Sequence, residues 1–536
     1  MKQQLKRVLA LSMTLVMVLA LTACGGTAAA PSTEAKADTQ ASAEAATEAH
    51  VAADEPVVIN IGRGSDTVTM DPIYAGDNVD IWLMNLVFEG LVKSSADGKS
   101  IEPCLATSWD ISDDQLTYTF HLREGVKYSN GQDVKASDCV YSLNRSIELG
   151  SWSSLLAAID TITAPDDNTV VITLKNPSGA LLSELAAFFS VVTPEDYYSS
   201  NDDDTLANKP IGTGPFYLDR WEKDVVMCFK ANPYYWDEGY PYADEINFKV
   251  IPDDNTLALQ LMSGELDVIT GVNALMKQLL AADSSITVKE FDSTHVNYIS
   301  MNTTSEKLSD YRVRQALNYA TDKDAIIAAV YEGSGVHTNS IIWPAAPHYN
   351  NDATYYEYDV EKAKECLAAA GMSDLELNLI IIANDSEDLM MATILQDQWK
   401  KAGISLNITQ MDSSSRREER NNLTFEILLN YFTSDISDDS ENFEMFCIYD
   451  NFDCWHTGWH DDMQQKAEEL VKAAGATNDD AERTRLYNEA QNIMCDQALI
   501  IPLNCVPATI AVRNDVSGFV QTPLGNYLFN ELTKAG

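Results

Sequence analysis

Apolar and polar positions along this chain switch repeatedly between a period of two and a period near 3.6. "PVVINIGRG", from residue 56, alternates every second position and ends in glycines, which predicts a strand and a turn. "LTYTFHLREGVKYSNG" predicts a second strand with a glycine turn, and "NTVVITLKNP" a third bounded by Asn and Pro. Helical spacing takes over in "KASDCVYSLNRSIEL", which Ser137-Asp138 would start. "NTLALQLMSGELDVITG" reads as a helix, a stop at Gly264 and a short strand. "DYRVRQALNYATDKDAIIAAVYEG" predicts one long helical stretch, capped by Asp310 and closed by Gly333. "VEKAKECLAAAG" before "LELNLIII", and "LMMATILQDQWKKAG" before "ISLNITQ", predict two helix-to-strand units with each helix ending at glycine. Two amphipathic helices follow in "DMQQKAEELVKAAG" and "DDAERTRLYNEAQNIMCDQ". No internal repeat is visible. The pattern predicts a mixed α/β chain of several lobes.

The first 55 residues follow neither period. Lys2, Lys6 and Arg7 precede an apolar run from Val8 to Ala23. That run is 16 residues long, short of the roughly 20 that cross a bilayer as a helix. A basic start, a short apolar middle and a small-residue exit make a secretory signal rather than an anchor. The exit, Leu21-Thr22-Ala23-Cys24-Gly25, resembles the bacterial lipoprotein box. That resemblance implies cleavage before Cys24 and a diacylglyceryl group on its sulfur; the alternative is an ordinary cleaved signal. Residues 24–55 hold no aromatic and almost no large aliphatic side chain, so they cannot offset their ordering entropy and read as a tether.

Composition then narrows the function. A chain of 536 residues with formal charge −45 disfavours nucleic-acid backbones, which need a basic surface. The acids are scattered, as on a solvated surface. Nine cysteines are present, irregularly spaced and several in apolar contexts. Export permits disulfides among the eight that follow Cys24, but a chain this large does not need them. The sequence has no G-x-S-x-G elbow, no H-E-x-x-H and no Walker loop, so an enzyme is not indicated.

Four blocks in fixed order carry a family resemblance. "DGKSIEPCLATSWDISDDQLTYTFHLREGVKYSNGQDVKASDCVYSLNR" is similar to the most typical stretch of extracellular solute-binding protein family 5. Next comes "NKPIGTGPFYLDRWEKDVVMCFKANPYYWDEGYPYADEINFKVIPDDNTLALQLMSGELDV", with its G-T-G-P-F/Y, N-P-x-Y-W and S-G-E-x-D elements. "YISMNTTSEKLSDYRVRQALNYATDKDAI" and "RTRLYNEAQNIMCDQALIIPL" complete the series. The resemblance covers residues 57–536. It implies a three-lobed α/β clamp of the type II periplasmic-binding-protein kind, peptide-binding subclass. Lobe I would comprise residues 56–100, 208–299 and 505–536, lobe II residues 101–207 and lobe III residues 300–504. The two crossings between lobes I and III, near "VNYISMN" and "IIPLNCVP", would form the hinge. Gly212, Gly214 and Pro215 are expected to set a tight turn where the chain re-enters lobe I.

The resemblance also nominates site residues. In peptide-binding members the segment matching "RNNLTFEILLNYFTSDISDDSENF" is a strand ending in Trp-x-x-Asp, whose aspartate pairs with the ligand's α-amino group. Asp435 stands at that aspartate and Phe432 at the tryptophan. The plain alternative is that Asp435 caps its own acid-rich loop. Arg420 lies where an arginine can meet the ligand carboxylate, although Arg416, Arg417, Glu418 and Glu419 could instead make an exposed salt-bridged face. Gly76, Asp77 and Asn78 match a loop that lines the cleft, and Trp152 an aromatic from lobe II that covers the ligand. The common proline-bearing form of the loop is absent, and Ser413 stands where oligopeptide binders carry a further tryptophan.

The function implied is that of an extracytoplasmic substrate-binding component of an ABC importer, probing for short peptides and anchored to the membrane through Cys24. It would act as a monomer, without cofactor, and hand solute to a permease driven by an ATPase. A nickel or metal chelate, an oligosaccharide or a signalling peptide are the alternative solutes. "DCWHTGWHDD" holds Cys454, His456, His460 and Asp461, but its Thr-Gly disfavours a helix that would align the two histidines as metal ligands.

Overall fold

Val58–Arg63 forms the middle of the first sheet, its alternate side chains Ile59 and Ile61 buried on one face and a parallel strand paired on each side. This computed structural model describes residues 55–383 and 385–535. The signal segment, Cys24 and the tether up to residue 54 lie outside the described residues. In the first sheet Val58–Arg63 runs parallel to Glu245–Val250 on one side and Val268–Thr270 on the other. Val226–Ala231 and Phe216–Glu222 extend one edge. Ala508–Arg513, from the chain's end, inserts between Val268–Thr270 and Ile286–Phe291. One sheet thus draws on three separated stretches of sequence.

The second sheet is four antiparallel strands: Ala106–Ile111, Thr117–Leu122, Thr169–Leu174 and Ile159–Asp166. The helix Ala136–Leu149 packs on it, and the Asp138 carboxylate accepts the Lys135 N–H at 2.9 Å to start that helix. Tyr118, Phe120 and Val170 share one continuous core with Ile59, Phe216 and Phe248 of the first sheet. The third sheet orders Val336–His337, Ile500–Cys505, Val296–Met301, Ile427–Phe432, Glu376–Ile382 and Ser405–Met411. Its last three strands are parallel, as the two helix-to-strand units require. A core of its own, including Ile299, Leu379, Trp399 and Ile427, supports one face, and an aromatic-rich cluster with Tyr298, Phe432 and Phe446 supports the other.

Val296–Met301 lies wholly in the third sheet, and the chain passes from the first sheet to the third between Phe291 and Val296. The second crossing joins Cys505 to Ala508, and Val296 pairs with Cys505 beside it. The two crossings therefore run side by side.

The stretch from Asp310 to Gly333 is two helices, not one: Tyr311–Ala320 and Lys323–Val330. Asp322 accepts the Ala325 N–H at 3.0 Å and restarts the helix, while the Trp399 indole donates to the Thr321 hydroxyl at the break. Thr-Asp within a helical period is a cap signal that periodicity alone hides. Gly333, at φ 78°, does end the second helix.

Gly212 and Gly214 are pressed against the backbone at Val87. A Cβ on Gly212 would stand 2.1 Å from the Val87 carbonyl oxygen, and one on Gly214 2.6 Å from its carbonyl carbon. Gly212→Ala is therefore expected to destabilise the fold by about 1–3 kcal/mol, read as a lower denaturant midpoint with unchanged slope.

Candidate solute-binding site

The loop after strand Ile427–Phe432 carries four acids, and the structure gives three of them work to do. Asp438 receives a two-pronged ion pair from Arg483 at 2.9 and 2.7 Å. Arg483 thereby holds the Asp438 carboxyl below its usual range despite burial. Asp439 meets His348 Nδ1 at 2.5 Å and accepts the His348 backbone N–H at 3.0 Å. Glu441, fully buried, folds the turn itself: one of its oxygens accepts the Asp435 N–H at 2.8 Å, the Ile436 N–H at 3.3 Å and the Ser434 hydroxyl at 2.9 Å. The capping role that Asp435 might have filled belongs to Glu441.

Asp435 is left over. It is 6 % exposed, its Oδ1 has no hydrogen-bond partner, and among the described residues no cation pairs with it. Burial first, and then the Glu441 carboxylate, push its carboxyl well above the usual range. An isolated buried carboxylate is costly, so such a group calls for a proton or a cation.

Asn78 from the first lobe reaches this loop, while its neighbour Asp77 reaches the helix Ser413–Asn421 and Trp152 from the second lobe folds back onto Ala75. Arg417 reaches Asp77 at 3.3 Å, and the Asn78 amide donates to Thr433 Oγ1 at 3.4 Å. Ser94 and Ser437 hydroxyls lie 2.9 Å apart across the same seam. The Trp152 indole donates to the Ala75 carbonyl at 2.9 Å and packs edge-on to Phe188 and over Phe189, touching both the shared core and the aromatic cluster of the third lobe. Gly76 is exposed, and a Cβ there would meet nothing.

Arg420 sits on the helix Ser413–Asn421, its guanidinium 5.8 Å from the Trp455 ring centre. Its Nε is buried without a hydrogen-bond partner. The three arginines differ: Arg417 pairs with Asp77, Arg416 donates to the Leu429 carbonyl, and Arg420 pairs with no acid. None of them forms an ion pair with Glu418 or Glu419. Ser413 opens the same helix at an exposed position.

Phe432 is 4 % exposed and packs edge-to-face on Phe446 and Trp455, with ring centres 6.0 and 5.3 Å away. Its neighbour Tyr431, pointing the other way, is half exposed and stacks on His295 at 4.5 Å. Beyond it a cavity of about 820 Å³ opens between the first and third lobes, lined by Trp82 and Asn273 from one side and Tyr298, Arg416, Asn430 and Tyr431 from the other. None of the seven nominated residues lines that cavity; they surround the seam beside it.

Residues 100–454 match the family described as bacterial extracellular solute-binding proteins, family 5 Middle. A dipeptide-binding protein of Escherichia coli strain K12 is 30 % identical over 478 residues, covering 83 % of this chain and 89 % of that protein. The chain belongs to family 5. Heme-binding protein A of Haemophilus influenzae is also 30 % identical, over 474 residues, 82 % of this chain and 85 % of that one. Among solved structures, the periplasmic binding protein DppA from Helicobacter pylori with peptide STSA superposes with a TM-score of 0.77 at 27 % identity, covering 89 % of this chain and 99 % of that chain. Family 5 proteins are binding proteins of transport and not enzymes. The three-lobed clamp is the fold of these neighbours.

Two features of this family 5 chain escape a reading by motif. Glu441 looks like one more acid in "DISDDSENF"; only its three hydrogen bonds single it out. Tyr431 is legible from strand alternation, since the residue beside a buried Phe432 must face the opposite side. The histidines of "DCWHTGWHDD" go separate ways: His456 is buried, with burial and then Arg420 lowering its pKa to about 4, and His460 lies against Tyr449. Among the described residues no group of three or more His, Cys, Asp or Glu is placed to hold a metal ion, and the eight described cysteines are free thiols. Among the same residues, no helix is long and apolar enough to cross a membrane.

Proposed function

We propose that this family 5 protein captures short peptides by their free amino end and delivers them to an ABC permease and its ATPase, held at the extracytoplasmic face of the membrane by lipid on Cys24. The observation that carries this reading is Asp435, a buried carboxylate with an unpartnered oxygen, in a loop that Asn78 and Ser94 of the first lobe reach. A peptide ammonium supplies the missing cation, and a charge-assisted bond there is worth roughly twice a neutral one. Arg420, half-buried, with a buried Nε that has no hydrogen-bond partner and no ion pair to an acid among the described residues, is a suitable partner for the carboxylate end. The adjoining cavity of about 820 Å³ offers room for side chains. Swinging the lobes about the paired crossings would open and close the clamp, which acts as a monomer.

Thermal-shift measurements with defined di- to pentapeptides test the reading. Peptides with free amino ends are expected to raise the melting temperature by mass action, and their N-acetylated forms are not. A shift with heme, Ni²⁺ or an oligosaccharide, and none with any peptide, overturns it. Mass spectrometry of the mature protein from a bacterial host is expected to find a diacylated N-terminal cysteine; an unmodified one removes the anchor.

A further inference from the structure

Asp435 is not alone in lacking a partner. Glu441 gives one oxygen to three donors, but its other, Oε1, is buried with none, like Asp435 Oδ1. The turn that Glu441 folds brings the two carboxyls together, since the Asp435 N–H itself rests on Glu441. No cation faces them. Arg483 is committed to Asp438, His348 to Asp439 and Arg417 to Asp77. Glu444, on the same helix as Glu441, and Glu184, from the second lobe, are further carboxyls pushed up by burial, and they bring no positive charge. Thr294, Asn78 and Ser94, which reach the loop from the hinge and the first lobe, are uncharged.

We propose that Asp435 and Glu441 act as a proton-exchanging pair: the empty clamp holds both as acids, and seating a primary ammonium expels one proton to solvent. The charges balance only this way. Two buried carboxylates with one ammonium leave a net negative charge, two carboxylic acids leave a net positive one, and one of each is neutral. Burial lifts Glu441 to about 7 against the pull of its hydrogen bonds, in keeping with a pair that is protonated below neutrality. The inference takes the ammonium from the peptide reading above, and adds that Glu441, beyond folding the turn, selects for cationic amines and couples their capture to pH.

The sign follows from linkage. The form that accepts the ammonium has lost a proton, so affinity falls as pH drops through the pair's value, by up to about tenfold per pH unit below about 7. Above about 8 the peptide amine itself deprotonates, so the profile is bell-shaped.

The probe is trialanine, with N-acetyl-trialanine as control, titrated calorimetrically at about pH 6 into the full chain in two buffers of different ionisation heat. The expected result is release of about one proton per trialanine at pH 6, falling to none at about pH 7.5 and turning to net uptake by about pH 8 as the free amine deprotonates. Glu441→Gln stands in for the protonated partner and leaves Asp435 as the one titrating carboxyl, so proton release is expected to persist while the second, more alkaline ionisation of the pair is lost. Buffer-independent heats overturn the proposal. The carboxylic-acid carbonyl band in infrared spectra of the peptide-free protein gives a readout that needs no ligand. A band that titrates near neutrality and weakens in Glu441→Gln and Asp435→Asn upholds the protonated pair, and no such band overturns it. Should trialanine and every other free-amino peptide fail to bind while the band is present, the peptide reading falls and the protonated pair stands.

Discussion

Asp435→Asn is expected to weaken binding of peptides with a free amino end by about 30-fold or more while leaving N-acetylated peptides unchanged. The size follows from the site. Removing one member of a buried, hydrogen-bonded charge pair costs about 2 kcal/mol or more, and each 1.4 kcal/mol is tenfold in affinity. Asn is the right replacement because it keeps the shape of the side chain and removes only the charge. Its effect on folding is expected to be small or favourable, since Asp435 in the empty clamp is a buried acid whose Oδ1 goes unpartnered. Calorimetry on free and acetylated peptides, beside a melting curve, separates the two effects. Equal loss for both kinds of peptide would remove Asp435 from the role of amine clamp.

The largest expected effect on stability lies one turn further along the chain. Arg483→Leu is expected to cost about 3–5 kcal/mol, because it leaves Asp438 buried without its cation. Arg483 also lies under Gly179 of the second lobe, where an added Cβ would stand 2.8 Å from the guanidinium, so the change loosens a contact between lobes as well. In the native protein Asp438 is held below the normal carboxylate range, so its contribution is present above about pH 4 and lost as pH falls through the lower folded value. Without Arg483 the carboxyl moves up, and the variant's deficit is expected to shrink on acidification as Asp438 takes a proton. Denaturant unfolding near neutral and mildly acidic pH checks this. Adding Asp438→Leu to Arg483→Leu is expected to restore most of the loss, since replacing both members of a buried pair leaves no stranded charge. A double variant no better than the single would show that Arg483 acts mainly through the second lobe.

Much of the scaffold was legible because its signals are local. Asp310 and Gly264 mark helix ends through their own side chain and φ angle, and the structure puts them there. The glycines of "GTGPF" announce a close approach, although the neighbour they touch, Val87, lies 125 residues upstream of Gly212 and carries no motif of its own. The break at Thr321 was missed because apolar spacing continues across it, while its cause is a tertiary partner, Trp399.

The site divides along the same line. Composition and patterning by themselves determined an acidic α/β chain with a signal-like start, and the order of the blocks determined its family. Through that resemblance they also nominated Asp435, which follows the strand Ile427–Phe432. They could not rank Asp435, Asp438, Asp439 and Glu441, which look alike in one run of acids. Arg483, His348 and the backbone of the turn decided that ranking, and the first two lie 45 and 91 residues away from the acids they neutralise. A carboxylate's role depends on which donors surround it and whether water can reach it. Both are properties of three lobes brought together, and neither is written in the spacing of the acids.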